Sequence, residues 1–490
     1  MENGNQPRVS QLLRSIAGTR DIIQDLEELL EYLPSSEYEL ILCMIKQGVW
    51  IGDPPPPPSG FEPGDGTVEL GLMWYWATNP GLLDLSKFSP DDQALIEGLC
   101  LMIYELTPGY TNMNSDNYNF LLNNPIIYSD GSVLGMGQWE TYDQGWFVAF
   151  LNLVQTIRYW AYYNDGIFPF NNPPAITLSG AKKNVVNIAL VGDWGTGDAT
   201  SGAVMKQIVA LKPDYIVHVG DVYYSGSPLA SDPNGSIYFN PGEESDHLVG
   251  GWPASYVGRS FTLNSNHEMY SGANGFFYDA LGTSQNIPPG NFFIAQQGST
   301  CWVMKYGDWA ILGLDSAFMA SASDAFMTGS IGSPYSPQAE WIAGLKLNPA
   351  KVIVLTHHNG FAQDCSSYSS LWTEVSGALG GDPYAWYWGH VHYGIVYDAP
   401  ITIPFGGGRT TNTYARCLGH GALPYGPASS LEGMPIAYSS NNRQPPPSNL
   451  LYNGFAQLTL ILNDDGQVEA ITEGYYDLSG TSPVWTKLIY

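Results

Sequence analysis

Apolar residues recur along this chain with two different periods. Over residues 20–33, RDIIQDLEELLEYL, Ile22, Ile23, Leu26, Leu29, Leu30 and Leu33 fall on one helical stripe. A second helix is predicted over 36–48. Residues 66–175 are rich in Trp, Tyr, Asn and Gly and read as mainly helical, with long loops around 108–137. Within them, Trp146, Phe147, Phe150, Leu151, Val154, Ile157 and Ala161 repeat at helical spacing. Such a stripe predicts a core face rather than a cofactor site.

From residue 185 the period changes. VVNIALVGD reads as a buried strand ending at Asp193, ATSGAVMKQIVALKPD (199–214) as a helix, and YIVHVGD as a second strand ending at Asp221. Strand, helix, strand at this spacing is a βαβ unit, and ligands collect at the carboxyl ends of such strands. Further strands are predicted at 301–306 and 308–315 as a hairpin, at KVIVLTHH (351–358) and at YAWYWGHVH (384–392). A terminal antiparallel hairpin, 455–477, turns at Asp464–Asp465–Gly466.

Composition divides this pattern into regions. At 490 residues the chain is too long for one small core. Pro54 to Pro58 form an extended run that reads as a semi-rigid spacer, or alternatively as a ligand for a proline-reading module. The expected organisation is a helical segment over 1–52, a proline-rich linker over 53–65, a mainly helical accessory region over 66–175 and a catalytic domain over 180–490.

The formal charge of −28, from 46 acidic and 18 basic residues, disfavours a nucleic-acid or anionic-membrane partner. Cys43, Cys100, Cys301, Cys365 and Cys417 are odd in number and never form a CxxC pair, so they read as buried free thiols. The first residues, MENGNQPRVSQ, carry no apolar signal core. The longest apolar stretch, 146–163, is interrupted by Asn152, Gln155 and Arg158, so no membrane span is expected. These features imply a cytoplasmic chain as synthesised; secretion without a cleaved signal stays open.

The chemistry is concentrated in the histidines. Of eight, five lie in three short clusters at or just after predicted strand ends: SNHE (265–268), THH (356–358) and GHVH (389–392). Asp193 and Asp221 precede them, also at strand ends. Packing alone rarely collects so many imidazoles and carboxylates. Mixed oxygen and nitrogen donors suit iron, manganese or zinc, and their number exceeds what one ion needs. A pair of ions clamping a phosphoryl group is the natural use. His218 reads as a core or supporting residue, and nothing argues a function for His247.

In order, GDWG (192–195), GDVYY (220–224), NHE (266–268), THH (356–358) and GHVH (389–392) resemble the calcineurin-like metallophosphoesterases, and within them the purple acid phosphatases. The resemblance covers roughly 185–480. It implies a four-layer α/β/β/α sandwich and hydrolysis of phosphomonoesters by a metal-bound hydroxide between two metal ions. It implies Asp193, Asp221, Tyr224 and His392 at the first ion, with Asp221 bridging, and Asn266, His357 and His390 at the second. Most of the family has a histidine where this chain has Gly195. The purple subgroup fills that gap with a tyrosine, here Tyr224, whose phenolate favours Fe(III); the second ion would be Fe(II), Zn or Mn. Tyr223 would then point away and pack.

His267 is implied as general acid or oxyanion donor, oriented by a carboxylate. His358, His420 and Arg409 are candidates to contact substrate. Ser265 replaces the family's usual glycine, a strained choice if the position needs a positive φ. The expected substrate is a small phosphorylated molecule. Two alternatives remain beside the phosphomonoesterase: a phosphodiesterase on small or cyclic diesters, and a delivered effector in which residues 1–175 bind a protein partner.

Overall fold

The computed structural model describes residues 173–490, except 230–239, 283–290, 322–325, 333–335, 404–407, 429–430, 432 and 447, together with scattered positions between 126 and 156. The helices expected over 20–33 and 36–48 and the proline run lie outside the described residues. Of the 146–161 stripe only scattered positions are described; Ala149, Asn152 and Leu153 there are buried.

From residue 173 onward, the first two strands are β1 (Ala175–Thr177) and β2 (Val185–Val191), the latter followed by helix α1 (Ala199–Leu211). Asp198 caps α1 by accepting from the backbone N–H groups of Thr200 and Ser201. Next come β3 (Tyr215–His218), β4 (Ser260–Thr262) and the short helix α2 (Asn266–Met269). The hairpin β5 (Trp302–Tyr306) and β6 (Trp309–Gly313) follows, then α3 (Pro337–Gly344), β7 (Val352–Thr356), α4 (Ser370–Leu379) and β8 (Ala385–Trp388). The chain closes with β9 (Gly394–Tyr397), β10 (Ile401–Ile403), β11 (Arg409–Thr411), β12 (Tyr414–Leu418), β13 (Ile436–Ser439), β14 (Gly454–Leu462), β15 (Val468–Asp477) and β16 (Trp485–Leu488).

Fourteen of these strands form two large sheets, while β10 and β11 pair with each other in a separate antiparallel ribbon. One has six strands in the order β16-β15-β14-β2-β3-β4, and the other eight in the order β13-β9-β12-β8-β7-β6-β5-β1. The expected βαβ unit is present, because β2 and β3 pair in parallel through α1. In the second sheet β6, β7, β8 and β12 are parallel in turn. Strands buried on both faces read as continuous apolar runs, and VIVLT at β7 is buried throughout.

The apolar core between the sheets joins Val186, Ile188 and Leu458 of the first to Met304, Ile353 and Leu355 of the second. A separate cluster packs Leu371, Trp372 and Val375 of α4 against Val352, Val354 and Trp386. On the far side α1 buries Val204, Met205 and Ile208. The order of layers is therefore α/β/β/α, as the resemblance implied.

One charged pair lies in this interior. Arg416 of β12 and Glu473 of β15 are fully buried and joined by an ion pair, and Tyr387 donates to the same carboxylate at 2.6 Å. Arg416 also donates to the carbonyls of Tyr397 and Ala415. Buried charges need such complete pairing. Cys301, Cys365 and Cys417 are buried free thiols, as expected; Cys43 and Cys100 lie outside the described residues. Among the described residues no helix is long and apolar enough to cross a membrane.

Candidate metal centre

The site forms where the carboxyl ends of β2, β3, β4, β7 and β8 meet. Each strand delivers a short loop there. The first sheet supplies oxygen donors: Asp193 after β2, Asp221 after β3 and Asn266 after β4. The second supplies nitrogen donors: His357 after β7, and His390 and His392 after β8.

The loops are tight. Asp193, Asp221 and His390 have φ values of 55°, 78° and 66°, in the left-handed region that non-glycine residues seldom adopt. Such conformations gather at functional sites, held by the structure around them. Strand alternation does not set the directions of His390 and His392, because β8 ends at Trp388. The backbone N–H of His390 donates to Oδ2 of Asp193 at 2.9 Å instead.

Gly195 is forced by a close approach. Its N–H donates to the carbonyl of Asp221, and its own carbonyl accepts from Tyr223. A Cβ there would lie 2.6 Å from the Asp221 carbonyl oxygen. No histidine fits there without a shift of this backbone.

The phenol that meets the carboxylates belongs to Tyr223, not to Tyr224. Its hydroxyl lies 2.6 Å from Oδ2 of Asp221, 3.3 Å from Oδ1 of Asp193 and 3.2 Å from Nε2 of His392. This corrects the expected register. Strand β3 stops at His218, and Gly220 and Asp221 both turn through positive φ. Alternation therefore no longer decides which tyrosine faces inward. Tyr224 contributes its backbone: its carbonyl accepts from Nδ1 of His267 at 2.7 Å. That carbonyl orients the His267 ring through Nδ1. The His267 ring packs 4.5 Å from the Tyr223 ring.

Burial and mutual charge divide the two aspartates. Burial and the neighbouring Asp221 push Asp193 well above the usual carboxylate range. Burial opposes ionisation of Asp221 too, but His357 and His267 carry it well below that range. Burial lowers His357 to about 3, His390 to about 4 and His392 to about 3. All three imidazoles are therefore neutral at pH 7 and able to act as ligands.

The donor set fits a cation. A neutral imidazole has one N–H, and a backbone carbonyl can only accept. Nδ1 of His357 faces the Val219 carbonyl at 3.0 Å, so it carries the proton. Nε2 then presents a lone pair to Oδ1 of Asn266 at 2.8 Å and to Oδ1 of Asp221 at 3.1 Å. Nδ1 of His390 adds another contact to the Asn266 oxygen at 3.1 Å. Oδ1 of Asp221 is buried and has no donor in hydrogen-bonding geometry. Converging acceptors without hydrogen between them are what a metal ion resolves.

His358 also lies in the cluster, and with His357 and His390 it could geometrically hold an ion. Its nitrogens are spent, however, on Ser316 Oγ at 2.9 Å and the Phe326 carbonyl at 2.7 Å. Fully buried, it packs its ring 4.8 Å from that of His390. Two other substrate-contact expectations are also corrected. His420 is buried, stacks on Tyr475 at 6.1 Å and points between Gly394 and Gly454. Arg409 pairs with Asp382, ahead of β8 and so at the opposite end of that strand from the cluster. His218 is a core residue, as expected, with Nδ1 3.0 Å from Thr262 Oγ1 and its ring against Trp194 and Trp252.

Ser265 carries no strain. Its φ of −136° is extended, and it caps α2 by accepting from His267 N–H. Its hydroxyl donates to Glu268. Glu268 and Glu244 were missed by sequence reasoning. Both are fully buried, and burial pushes each well above the usual carboxylate range. The S-x-x-E spacing of Ser265 and Glu268 was the available signal for the first. Nothing local marked Glu244. His247 also has a place, with Nδ1 2.6 Å from the Tyr223 carbonyl.

Residues 186–394, from β2 through the last histidine of the cluster, match the family model of the calcineurin-like phosphoesterases. The chain carries a calcineurin-like phosphoesterase domain. Within this phosphoesterase domain lie all the residues that converge on the site. No curated protein matches the chain by sequence. Among solved structures, one described as "GAP50 the anchor in the inner membrane complex of Plasmodium" is similar at a TM-score of 0.41 and 13% identity, covering 62% of this chain and 89% of that one. A likeness at that level carries no argument about function. The family supports a metal-dependent hydrolase of phosphate esters.

Proposed function

We propose that the phosphoesterase domain is a dinuclear phosphomonoesterase of the purple acid phosphatase kind. The observation that carries this reading is the Tyr223 phenol set between Asp193, Asp221 and His392, at the place Gly195 leaves without an imidazole. Asp193, Asp221, Tyr223 and His392 would hold the first ion. Asp221, Asn266, His357 and His390 would hold the second.

Bound there, the ions would acidify water and neutralise the charge of a phosphate ester. The chain's own residues do the rest. Asp221, ionised and central, fixes the spacing of the two half-sites. His267, with Nδ1 committed to the Tyr224 carbonyl, is held to present Nε2 to the departing oxygen. The His357 tautomer is fixed by Val219, which keeps Nε2 unprotonated.

A hard anionic phenolate favours Fe(III) at the first position, with Fe(II), Zn or Mn at the second. Burial and the two aspartates raise the Tyr223 phenol well above its ordinary value, so it would be a phenolate only beside a bound cation. Metal content and the visible spectrum of the purified protein test the proposal together. Iron with a tyrosinate charge-transfer band supports it. A colourless protein loaded with Mn or Zn overturns the purple subgroup. Turnover of an aryl monophosphate compared with the bis-aryl diester decides between mono- and diesterase.

A further inference from the structure

Glu243 and Glu244 are neighbours in sequence, both buried, yet their surroundings differ completely. The Glu243 carboxylate is saturated. Its Oε2 accepts from the Ser225 N–H at 2.8 Å, the Ser225 hydroxyl at 2.9 Å and the Ser227 N–H at 3.4 Å, and its Oε1 from Asn240 Nδ2 at 2.8 Å. Glu244 opens the short helical segment Glu244–Val249 and, among the described residues, has no donor on either oxygen. A buried carboxylate without a partner is costly, so Glu244 calls for a counter-charge.

What Glu244 meets is a second carboxylate. A Cβ at Gly226 would lie 2.8 Å from Cγ of Glu268 and 3.1 Å from Oε2 of Glu244, so both side chains close on the same flank of that glycine. A Cβ at Gly275 would lie 2.7 Å from Cβ of Glu244 and 2.1 Å from the Gly226 carbonyl oxygen, which sets this carbonyl beside the pair. Ser271 Oγ donates to that carbonyl at 3.1 Å, and a carbonyl oxygen has a second lone pair. Glu268 spends Oε2 on the Ser265 hydroxyl, while its Oε1 is buried without a donor. Oε1 and Oε2 of Glu244 and Oε1 of Glu268 thus share one side of Gly226 with nothing donating to them. Burial and then the charge of Glu268 raise the Glu244 carboxyl, as expected where like charges meet. Neither glutamate belongs to the donor groups around Asp193 and His358.

We propose that Glu244 and Glu268, with the Gly226 carbonyl, bind a calcium ion at a site separate from the metal centre. The donors are all oxygen, which does not select iron or zinc. Two carboxylates balance one divalent charge. Calcium accepts bidentate carboxylates and backbone carbonyls in irregular geometry, whereas magnesium demands an octahedron and keeps its waters. The ion has a structural consequence. Glu268 lies in α2 with Asn266 and His267, and its other oxygen holds Ser265, which caps that helix. A cation there ties the Glu244–Val249 segment to the helix that carries two residues of the centre.

The test titrates the full-length, metal-loaded protein with calcium chloride and follows calcium binding and the denaturation midpoint. One calcium ion per chain should bind with a Kd below about 1 mM, and the midpoint should rise with calcium concentration. Glu244→Gln keeps the size of the side chain and removes its charge. It should weaken calcium binding by more than about 100-fold, beyond the range for a supporting partner, and abolish the rise. Asp193→Asn, which alters the metal centre, should leave this calcium in place. A wild-type midpoint indifferent to calcium, with Glu244→Gln as stable or more so, means that the two carboxyl groups share a proton and overturns the inference. Calcium lost in Asp193→Asn and kept in Glu244→Gln belongs to the metal centre and overturns it as well.

Discussion

Tyr223 donates a 2.6 Å hydrogen bond from its hydroxyl to Oδ2 of Asp221, two residues earlier in the chain. The contact joins the residue that fills the gap left by Gly195 to the carboxylate at the centre of the cluster. In iron-loaded protein, Tyr223→Phe should abolish visible absorption and release the first metal, because only the oxygen is removed. Tyr224→Phe keeps its backbone carbonyl on His267 and should keep the colour. Absorption spectra and metal analysis of both variants check the register. Colour that survives Tyr223→Phe and vanishes in Tyr224→Phe would reverse it.

Asp221→Asn should cost more than about 100-fold in turnover, beyond the range for loss of a supporting partner. Metal content should fall while circular dichroism stays folded. A variant that keeps both metals would show that Asp221 does not link the two half-sites.

His358→Ala should lower activity by about 10- to 100-fold, the range for groups that orient ligands from behind. The loss should appear as weaker metal affinity, restored in part by excess metal. A change in KM alone would instead place His358 against substrate, contrary to its complete burial.

Arg416→Met should destabilise the fold by about 3–5 kcal/mol, because it leaves Glu473 buried without its partner. Arg416→Met with Glu473→Leu should recover most of that loss. Chemical denaturation of the two variants checks it, and equal stability of the single variant and the wild type would count against the pair.

His420 links stability to pH. Burial lowers it from 6.5 to about 4, partly offset by Asp477. Between those values the unfolded chain binds the proton and the folded chain does not, so stability rises with pH. The contribution is present above pH 6.5 and lost as pH falls toward 4, amounting to roughly 3 kcal/mol. His420→Phe keeps a ring against Tyr475 and should flatten the stability curve in that window. Denaturant midpoints at pH 4.5 and 7 measure it.

Strand ends were legible in the sequence because parallel strands buried on both faces leave continuous apolar runs. β2, β3, β7 and β8 all end just before the residues that converge on the site. Side-chain direction beyond those ends was not legible. At Asp221 the backbone enters the left-handed region, and the period that orders a strand no longer applies to Tyr223. Arg409 was misjudged because proximity in sequence to a glycine-rich loop says nothing about which end of a strand that loop joins, and His420 because nothing local shows that its ring turns toward Gly394 and Tyr475. Glu244 was invisible, since its burial depends on contacts with Gly226 and Gly275 that no local pattern announces.

The division of donors between the sheets orders their appearance in time. Every oxygen donor, from Asp193 to Asn266, is synthesised before any of the imidazoles at His357, His390 and His392. A growing chain that has emerged only through Asn266 offers hard oxygen ligands alone, which suit magnesium and calcium and hold softer transition ions poorly. The nitrogen ligands arrive about ninety residues later on the other sheet, 91 positions separating His357 from Asn266. A centre that uses both sets of donors would therefore form only once the chain has been made through His392 and the two sheets have docked.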